Sequence, residues 1–166
     1  GYHSYTYGNN GGSKSYTWGY FKHNETGEHF IVLSTHLWLK SDSDEPNSTK
    51  WRTDQANEIV KLSDKLIAQY NCPMFIEGDM NCKTSTAPIQ AFYNGGFKNN
   101  HDIATVFKDD IRGHHHCGTD GYEKVMYSGT YTKDGIDHML VKNLGDNEIV
   151  AFKHVVVDFF FNLSDH

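Results

Sequence analysis

Two short apolar runs, separated by a long amphipathic segment, constrain the fold of this chain most strongly. The run FIVL, residues 30–33, leads directly to His36, and the run in CPMFIEGDMN leads directly to Asp79 and Asn81. Between them, apolar residues recur at helical spacing over residues 47–70. A continuous apolar run like the first one is typical of a strand that is buried on both faces. A strand, a helix and a strand in this order predict a helix packed over a sheet.

Further strands are predicted on both sides of this unit. YTWGYFKH alternates aromatic with smaller or polar residues, and NETGE supplies Gly27 for the positive φ of a hairpin turn. GIDHMLV and EIVAFKHVVVD are typical of two more strands, and residues 88–93 predict a short helix that ends at a Gly-Gly pair. Residues 1–15 predict a loop that could include a short strand, and residues 99–134 predict irregular structure. The pattern as a whole indicates a mixed α/β fold.

Composition limits the classes of function. The chain has 166 residues, of which 37% are apolar, and this suits one domain with a real core. It carries 15 basic and 21 acidic residues, so no overall basic field is available to hold a polyanion. No apolar run is long enough to predict a membrane span. The three cysteines lack the CxxC spacing, and their odd number does not favour a disulfide framework.

Polar residues follow or open several of the predicted strands. Because such strand ends meet at one edge of a sheet, where ligand sites commonly form, they are candidates for a functional site. Each has an ordinary structural interpretation when it is taken alone, since Gly-Asp is frequent in turns and a single strand histidine is usually structural. Their joint order favours a site. The candidates are His36, Asp79, Asn81, Asp137, Asp165 and His166.

The order of these motifs resembles a known family. The chain contains, in this order, T-H-L, a helix with Arg52 and Gln55, G-D-M-N, I-D-H and S-D-H. This order is similar to that of the motifs of the endonuclease/exonuclease/phosphatase superfamily, which has the DNase I-like fold. The resemblance extends over residues 15–166 and implies a partial four-layer α/β sandwich with mixed sheets and flanking helices. Residues 1–166 would form a single domain that corresponds to the C-terminal portion of the family domain.

The resemblance also implies where the chain departs from the family. The family begins with a strand that ends in asparagine and with a Gln-Glu motif, whose glutamate is the principal metal ligand, and neither is found in this sequence. The family also continues into a last strand after S-D-H, whereas this sequence stops at His166. We therefore expect that this chain alone lacks groups that catalysis needs.

The family is one of phosphoester hydrolases, and it implies roles for the first three candidates. His36 would donate to a non-bridging phosphoryl oxygen. Asp79 would orient or deprotonate the attacking water, and Asn81 would hold that water or the developing charge. Phosphoester hydrolysis builds negative charge on the equatorial oxygens, which explains why donors and a carboxylate are needed together.

The remaining candidates would complete the site. Asp165 would belong to the acidic cluster that binds the divalent metal, Mg²⁺ or Mn²⁺, because such hard ions prefer oxygen ligands. His166 would contact the scissile phosphate, and Asp137 would fix its tautomer and orientation. The resemblance thus implies a divalent-metal-dependent hydrolase in which water attacks a phosphomonoester or phosphodiester.

Three alternatives remain open at this stage. The chain could be a catalytically inactive binding module of the same fold, or a nuclease that acts on DNA or RNA. The third alternative is zinc or nickel binding by the GHHHCG loop, His114 to Cys117, although adjacent residues rarely ligate one ion together.

Charge favours a small phosphoester substrate over duplex DNA. Affinity for duplex DNA comes largely from Lys and Arg contacts to closely spaced phosphates. The loops expected near the site, residues 41–47 and 99–121, hold more acidic than basic residues. The acidic ones are Asp42, Asp44, Glu45, Asp102, Asp109, Asp110 and Asp120, and the basic ones are Lys108 and Arg112.

Overall fold

The structure of the protein, a computed structural model, describes residues 2–7, 12–108 and 135–153. Eight strands and three helices lie in these ranges. In chain order they are β1 (Tyr2–Tyr7), β2 (Gly12–Lys22), β3 (His29–Thr35), α1 (Ser48–Tyr70), β4 (Met74–Asp79), α2 (Ala87–Asn94), β5 (Lys98–Asn99), α3 (Asn100–Ile103), β6 (Val106–Lys108), β7 (Asp137–Lys142) and β8 (Ala151–Lys153).

Six of the strands form one mixed sheet in the order β1-β2-β3-β4-β7-β5. β3 and β4 are parallel, and α1 is the crossover that connects them. The other neighbouring pairs in this sheet are antiparallel. β6 and β8 form a separate parallel pair. The predicted mixed α/β fold, with a helix over a sheet, is confirmed.

The core lies between this sheet and the helices α1 and α2. Alternate residues of β3 and β4 point to the helices and are buried, because successive side chains of a strand point to opposite faces. The buried apolar residues include Ile31, Leu33, Ala56, Ile59, Leu66, Met74, Ile76, Ile89, Phe92 and Leu140. The buried face of α1 also carries polar side chains, which apolar periodicity did not predict; they are Ser48, Arg52, Gln55 and Ser63.

The opposite face of the sheet differs from the expectation for β3. Phe30 and Val32 point away from the helices and are only half-buried, so the apolar run is not fully buried on both faces. On neighbouring strands, Phe21 and Met139 are 47% and 43% exposed. No helix within the described ranges is long and apolar enough to cross a membrane.

Most of the predicted element boundaries are confirmed. α1 begins at Ser48 after Asn47 and ends at Tyr70, and the positive φ of 47° at the next residue, Asn71, stops the helix. The hairpin between β2 and β3 has Gly27 at a φ of 77°, as its turn requires.

Residues 1–15 contain more strand than the predicted loop with a short strand. β1 pairs with β2 in an antiparallel hairpin in which Tyr2 lies opposite Thr17 and Tyr7 lies opposite Gly12. The Tyr and Thr residues there favour strands, and the Gly and Asn residues that suggested a loop are concentrated between the two strands. Residues 98–108 likewise form β5, α3 and β6.

Candidate active site

The pairing of three strands brings the predicted polar ends together at one edge of the sheet. Because β3 and β4 are parallel, the end of β3 that leads to His36 and the end of β4 at Asp79 lie at the same edge. β7 runs antiparallel to β4, so it starts at this edge, with Asp137 directly opposite Asp79. Directly opposed residues of two strands share a face, so both carboxylates lie on the same face. We call this edge the polar rim, defined by His36, Asp79, Asn81 and Asp137.

An imidazole and a carboxylate meet at the polar rim. His36 Nε2 lies 3.4 Å from Asp79 Oδ2, which is an ion pair when the imidazole is protonated. The distance is longer than that of a typical hydrogen bond between nitrogen and oxygen. The Asp79 side chain is only 12% exposed, whereas that of His36 is 53% exposed. The pair therefore combines a fixed carboxylate with a histidine that faces the solvent.

Asn81 closes a tight turn that connects Asp79 with the segment after β3. Its backbone N–H donates to Asp79 Oδ1 at 2.7 Å, and its side-chain Nδ2 donates to the carbonyl of Leu37 at 3.1 Å. The residue has a φ of 51°, a left-handed conformation that asparagine tolerates better than most residues. The Leu37 N–H in turn donates to the carbonyl of Asp79. These bonds fix Asp79 relative to the residue that follows His36.

Gly78 allows β3 and β4 to approach closely beside the rim. It has a φ of 138°, and a Cβ at this position would lie 1.9 Å from the carbonyl oxygen of Thr35. No side chain fits in that space, since real Cβ contacts essentially never fall below 3.0 Å. The glycine of the G-D-M-N motif is therefore needed for backbone approach, and this places His36 next to Asp79.

A buried hydrogen bond joins the side chain of His138 to the backbone of Cys82, the residue after Asn81. Both side chains are buried, and His138 Nε2 lies 2.8 Å from the carbonyl oxygen of Cys82. A carbonyl can only accept, so this nitrogen carries the hydrogen. Burial raises the pKa of the Cys82 thiol to about 11, and the thiol therefore stays protonated near neutral pH. Cys82 is thus a packing residue and not a nucleophile.

Lys14 is a rim residue that the sequence did not predict. It lies near the start of β2, which runs antiparallel to β3 and therefore begins at the edge where β3 ends. Burial lowers the pKa of the Lys14 ammonium, and the nearby Asp79 carboxylate partly offsets this shift. A positive charge in a half-buried position beside a carboxylate is suited to an anionic ligand. The sequence did not indicate this position, because residues 1–15 are rich in Gly, Asn and Ser and predicted mainly a loop.

Several predicted residues lie outside the described ranges. Asp165 and His166 of the S-D-H motif follow residue 153, and the His114 to Cys117 loop lies between residues 108 and 135. Their predicted roles in catalysis and metal binding therefore stay predictions. His36, Asp79, Asn81 and Asp137 are the candidates whose positions the structure gives.

The described residues provide only part of a metal site. Mg²⁺ prefers oxygen ligands, which the carboxylates of Asp79 and Asp137 and the side-chain amide oxygen of Asn81 can supply. Within residues 14–106 and 135–151, however, no group of three or more His, Cys, Asp or Glu side chains is arranged to hold a metal ion. These residues alone do not fit a complete metal site.

Comparison with solved structures gives clear matches, whereas no protein-family profile and no curated protein sequence matches the chain. An endonuclease/exonuclease/phosphatase from Bacteroides vulgatus superposes with a TM-score of 0.66 at 17% identity, covering 93% of this chain and 52% of that one. A mannosyl-6-phosphatase from Bacteroides thetaiotaomicron gives 0.62 at 20% identity, covering 78% and 43%. A beta toxin variant from Staphylococcus aureus with bound magnesium ions gives 0.54 at 16% identity, covering 87% and 47%.

The chain has the endonuclease/exonuclease/phosphatase fold. The fold that the motif order predicted is thereby confirmed. The chain spans about half the length of the solved structures that it matches. In this endonuclease/exonuclease/phosphatase fold, the polar rim is formed by the ends of β3 and β4 and the start of β7.

Proposed function

We propose that the polar rim is the active site of a divalent-metal-dependent phosphoester hydrolase. The contact between His36 Nε2 and Asp79 Oδ2 carries this proposal, because it combines a proton donor and a carboxylate within one site. Water attack on a phosphoester needs both groups, a donor for the equatorial oxygens and an acceptor for the water. The similar structures support the proposal, since they include a mannosyl-6-phosphatase.

Each rim residue has a role that its geometry permits. Asp79 is held by Asn81 and largely shielded from solvent, so its carboxylate is in a fixed position to orient the water or accept its proton. His36 is exposed enough to reach a substrate phosphoryl oxygen. Lys14 would offset the negative charge of the phosphoryl group and of the rim carboxylates.

The remaining roles rest on the resemblance of the S-D-H motif. His166 would contact the scissile phosphate with Asp137 as its orienting partner, and Asp165 would contribute to the metal site. When bound, Mg²⁺ would supply charge stabilisation at the phosphoryl oxygens. The beta toxin structure with bound magnesium ions supports this choice of metal for the fold.

We further propose that the substrate is a small or singly presented phosphoester and not duplex DNA. The described loop over residues 41–47 carries Asp42, Asp44 and Glu45 and no basic residue. Such a surface repels a long polyanion, and the excess of 21 acidic over 15 basic residues acts in the same direction. A phosphorylated sugar is one member of the proposed class, in line with the mannosyl-6-phosphatase.

The test compares Asp79→Asn with a matched control in the whole protein. Asparagine retains the Oδ1 acceptor for Asn81 N–H, so the turn is preserved while the base is lost. Glu77→Gln removes an exposed carboxylate two residues earlier on the same strand face. We expect Asp79→Asn to lower turnover at least about a hundredfold, and the control to change it less than about twofold.

The substrates are p-nitrophenyl phosphate, mannose 6-phosphate, bis-p-nitrophenyl phosphate and supercoiled plasmid, each with Mg²⁺ and again with EDTA. Hydrolysis of the small esters that EDTA abolishes is the expected result. Nicking of plasmid without turnover of the small esters would refute the substrate class. Full activity of Asp79→Asn would refute the site, and ester binding without hydrolysis would identify an inactive binding module.

A further inference from the structure

The segment that carries His36 is fixed by side chains from a helix. Residues 36–40, which we call the His36 segment, have no regular secondary structure, yet Leu37 and Trp38 are buried. Gln55 Oε1 of α1 accepts from the Trp38 N–H at 3.0 Å. Arg52 Nη1, one helical turn earlier, donates to the carbonyl of Trp38 at 3.0 Å and also to the carbonyl of Lys40. The backbone of an irregular segment thus finds its partners on a rigid helix.

This arrangement is costly for stability. Arg52 is 6% exposed and Gln55 is fully buried. Arg52 Nε and Gln55 Nε2, together with the indole Nε1 of Trp38, have no hydrogen-bond partner among the described residues. An unsatisfied buried donor costs about 1–3 kcal/mol, so the hydrogen bonds to the backbone of the His36 segment are made while three side-chain donors stay unsatisfied. The oxygen of Gln55 and the guanidinium of Arg52 are thus directed at the backbone of Trp38 and Lys40, which fixes the position of the His36 segment.

A second set of hydrogen bonds to the His36 segment comes from the end of β4 and the turn that follows it. Leu37 donates its N–H to the carbonyl of Asp79 and accepts from Asn81 Nδ2. Asp79 and Asn81 therefore fix Leu37, while α1 fixes Trp38. His36 lies immediately before these two fixed residues, and its Nε2 lies 3.4 Å from Asp79 Oδ2. Loss of either set of hydrogen bonds would let the backbone of the His36 segment move, and the distance between His36 Nε2 and Asp79 Oδ2 would change.

We propose that Gln55 and Arg52 are positioning residues that hold the His36 imidazole against Asp79 through the backbone of the His36 segment. The proposal rests on the proposed function, because the purpose of the position is catalysis. A displacement of about 1 Å at a catalytic group can cost roughly a hundredfold in rate. Loss of the Gln55 acceptor should therefore act on kcat and leave substrate binding nearly unchanged.

The test uses two substitutions of one residue and a control on the same helix. Gln55→Met has nearly the same size but lacks the acceptor, and Gln55→Glu restores an acceptor oxygen. Ser63→Ala removes a buried hydroxyl of α1 that bonds within the helix to the carbonyl of Val60, away from the His36 segment. We expect Gln55→Met to lower kcat about tenfold to a hundredfold with KM within about twofold. Gln55→Glu should recover most of the loss, and Ser63→Ala should leave kcat unchanged.

A second measurement separates this proposal from the proposed function. In NMR spectra of the folded variants, Gln55→Met should speed amide exchange at Trp38 and shift the His36 ring resonances, whereas Ser63→Ala should do neither. If the wild-type protein hydrolyses no ester, the proposed function fails and these spectra still decide the positioning role. Unchanged His36 resonances in Gln55→Met, or a Gln55→Glu variant no better than Gln55→Met, would overturn the proposal.

Discussion

The two ends of β3 and β4 are built from different interactions. At the carboxyl ends, the polar rim is held by hydrogen bonds and by the contact of His36 with Asp79. At the amino ends, Tyr20 stacks on His29 at 5.0 Å and on Tyr70 of α1 at 4.2 Å. We call these three residues the aromatic end; they line a cleft of about 500 Å³. The same two strands thus carry polar contacts at one end and ring stacking at the other.

This difference shows which part of the fold contains features that lower its stability. The aromatic end gains stability from ring stacking and from apolar area removed from water. The polar rim holds a half-buried lysine, Lys14, and depends on a backbone approach that only Gly78 permits. Local features that do not favour stability are concentrated where proteins act on ligands. We therefore expect changes at the aromatic end to alter stability alone, and changes at the polar rim to alter activity.

The largest expected effect is that of Gly78→Ala. The added Cβ would meet the Thr35 carbonyl oxygen at 1.9 Å, so β3 and β4 must separate. We expect a loss of more than about 4 kcal/mol in the free energy of unfolding, measured with urea, or failure to fold. Gly27→Ala is the control, because it also has a positive φ but its nearest neighbour is Lys22 Cε at 3.7 Å. It should cost about 1–2 kcal/mol, and an equal cost at both positions would refute the close-approach argument.

A smaller effect on stability is expected at the aromatic end. Tyr70→Ala removes the ring that stacks on Tyr20, and we expect a loss of roughly 2–3 kcal/mol, since the ring is only partly buried. Phosphoesterase activity at a temperature where the variant is folded should equal that of the wild type. Tyr70→Phe, which retains the ring, should restore most of the stability. A fall in kcat for folded Tyr70→Ala would contradict the expectation that changes at the aromatic end alter stability alone.

Lys14→Met is expected to act on substrate affinity. Loss of a charged contact to the phosphoryl group costs about 1.5–3 kcal/mol, which corresponds to roughly a tenfold to hundredfold rise in KM. The control is Lys22→Met, at the other end of the same strand. It should leave KM within about twofold of the wild-type value. Equal effects of the two substitutions would show that the contribution of Lys14 is one of net charge and not of position.

The same substitution predicts a dependence of stability on pH. Burial lowers the pKa of Lys14, so folding disfavours its charged form. This cost is fully present at pH values below the folded-state pKa, and it disappears as the pH rises through that value. Lys14→Met should therefore be more stable than the wild type near pH 7, and the difference should shrink at alkaline pH. A stability difference that grows with pH would contradict the assigned environment.

The smallest effect is expected for metal binding by the 166-residue chain. Within the described ranges no cluster of three ligand side chains is present, and the sequence lacks the Gln-Glu motif that the resemblance implies. We expect a calorimetric titration with Mg²⁺ to give weak binding with little heat. Tight stoichiometric binding would mean that other residues of the chain complete the site.

The sequence was sufficient to predict what depends on local pattern. Apolar periodicity predicted a helix over residues 47–70, close to the observed α1, and strand order brought His36 and Asp79 to one edge. For residues 1–15 the sequence predicted at most a short strand, because the pairing of β1 with β2 is a contact between strands that no local pattern encodes. Arg52 and Gln55 were named only as part of a motif, since nothing in helical periodicity indicates that a charged side chain is buried.

Lys14 was missed for a related reason. Its sequence neighbours are Gly, Ser and Tyr, and its proximity to Asp79 arises only when β2, β3 and β4 pair side by side. Gly78 had a visible place in the G-D-M-N motif, but the distance to the Thr35 carbonyl that makes it necessary is a property of the folded sheet. The residues that define the polar rim could thus be predicted, and those that position or complete it could not.

An NMR titration of the whole protein with inorganic phosphate in the presence of Mg²⁺ tests most directly which end of β3 and β4 receives the ligand. We expect shifts of the backbone amide resonances of Leu37, Asp79 and Asn81, with those of Tyr20 and Tyr70 unchanged. Shifts confined to the aromatic end, or no shift at either end up to millimolar phosphate, would contradict the assignment of the polar rim as the phosphoester site.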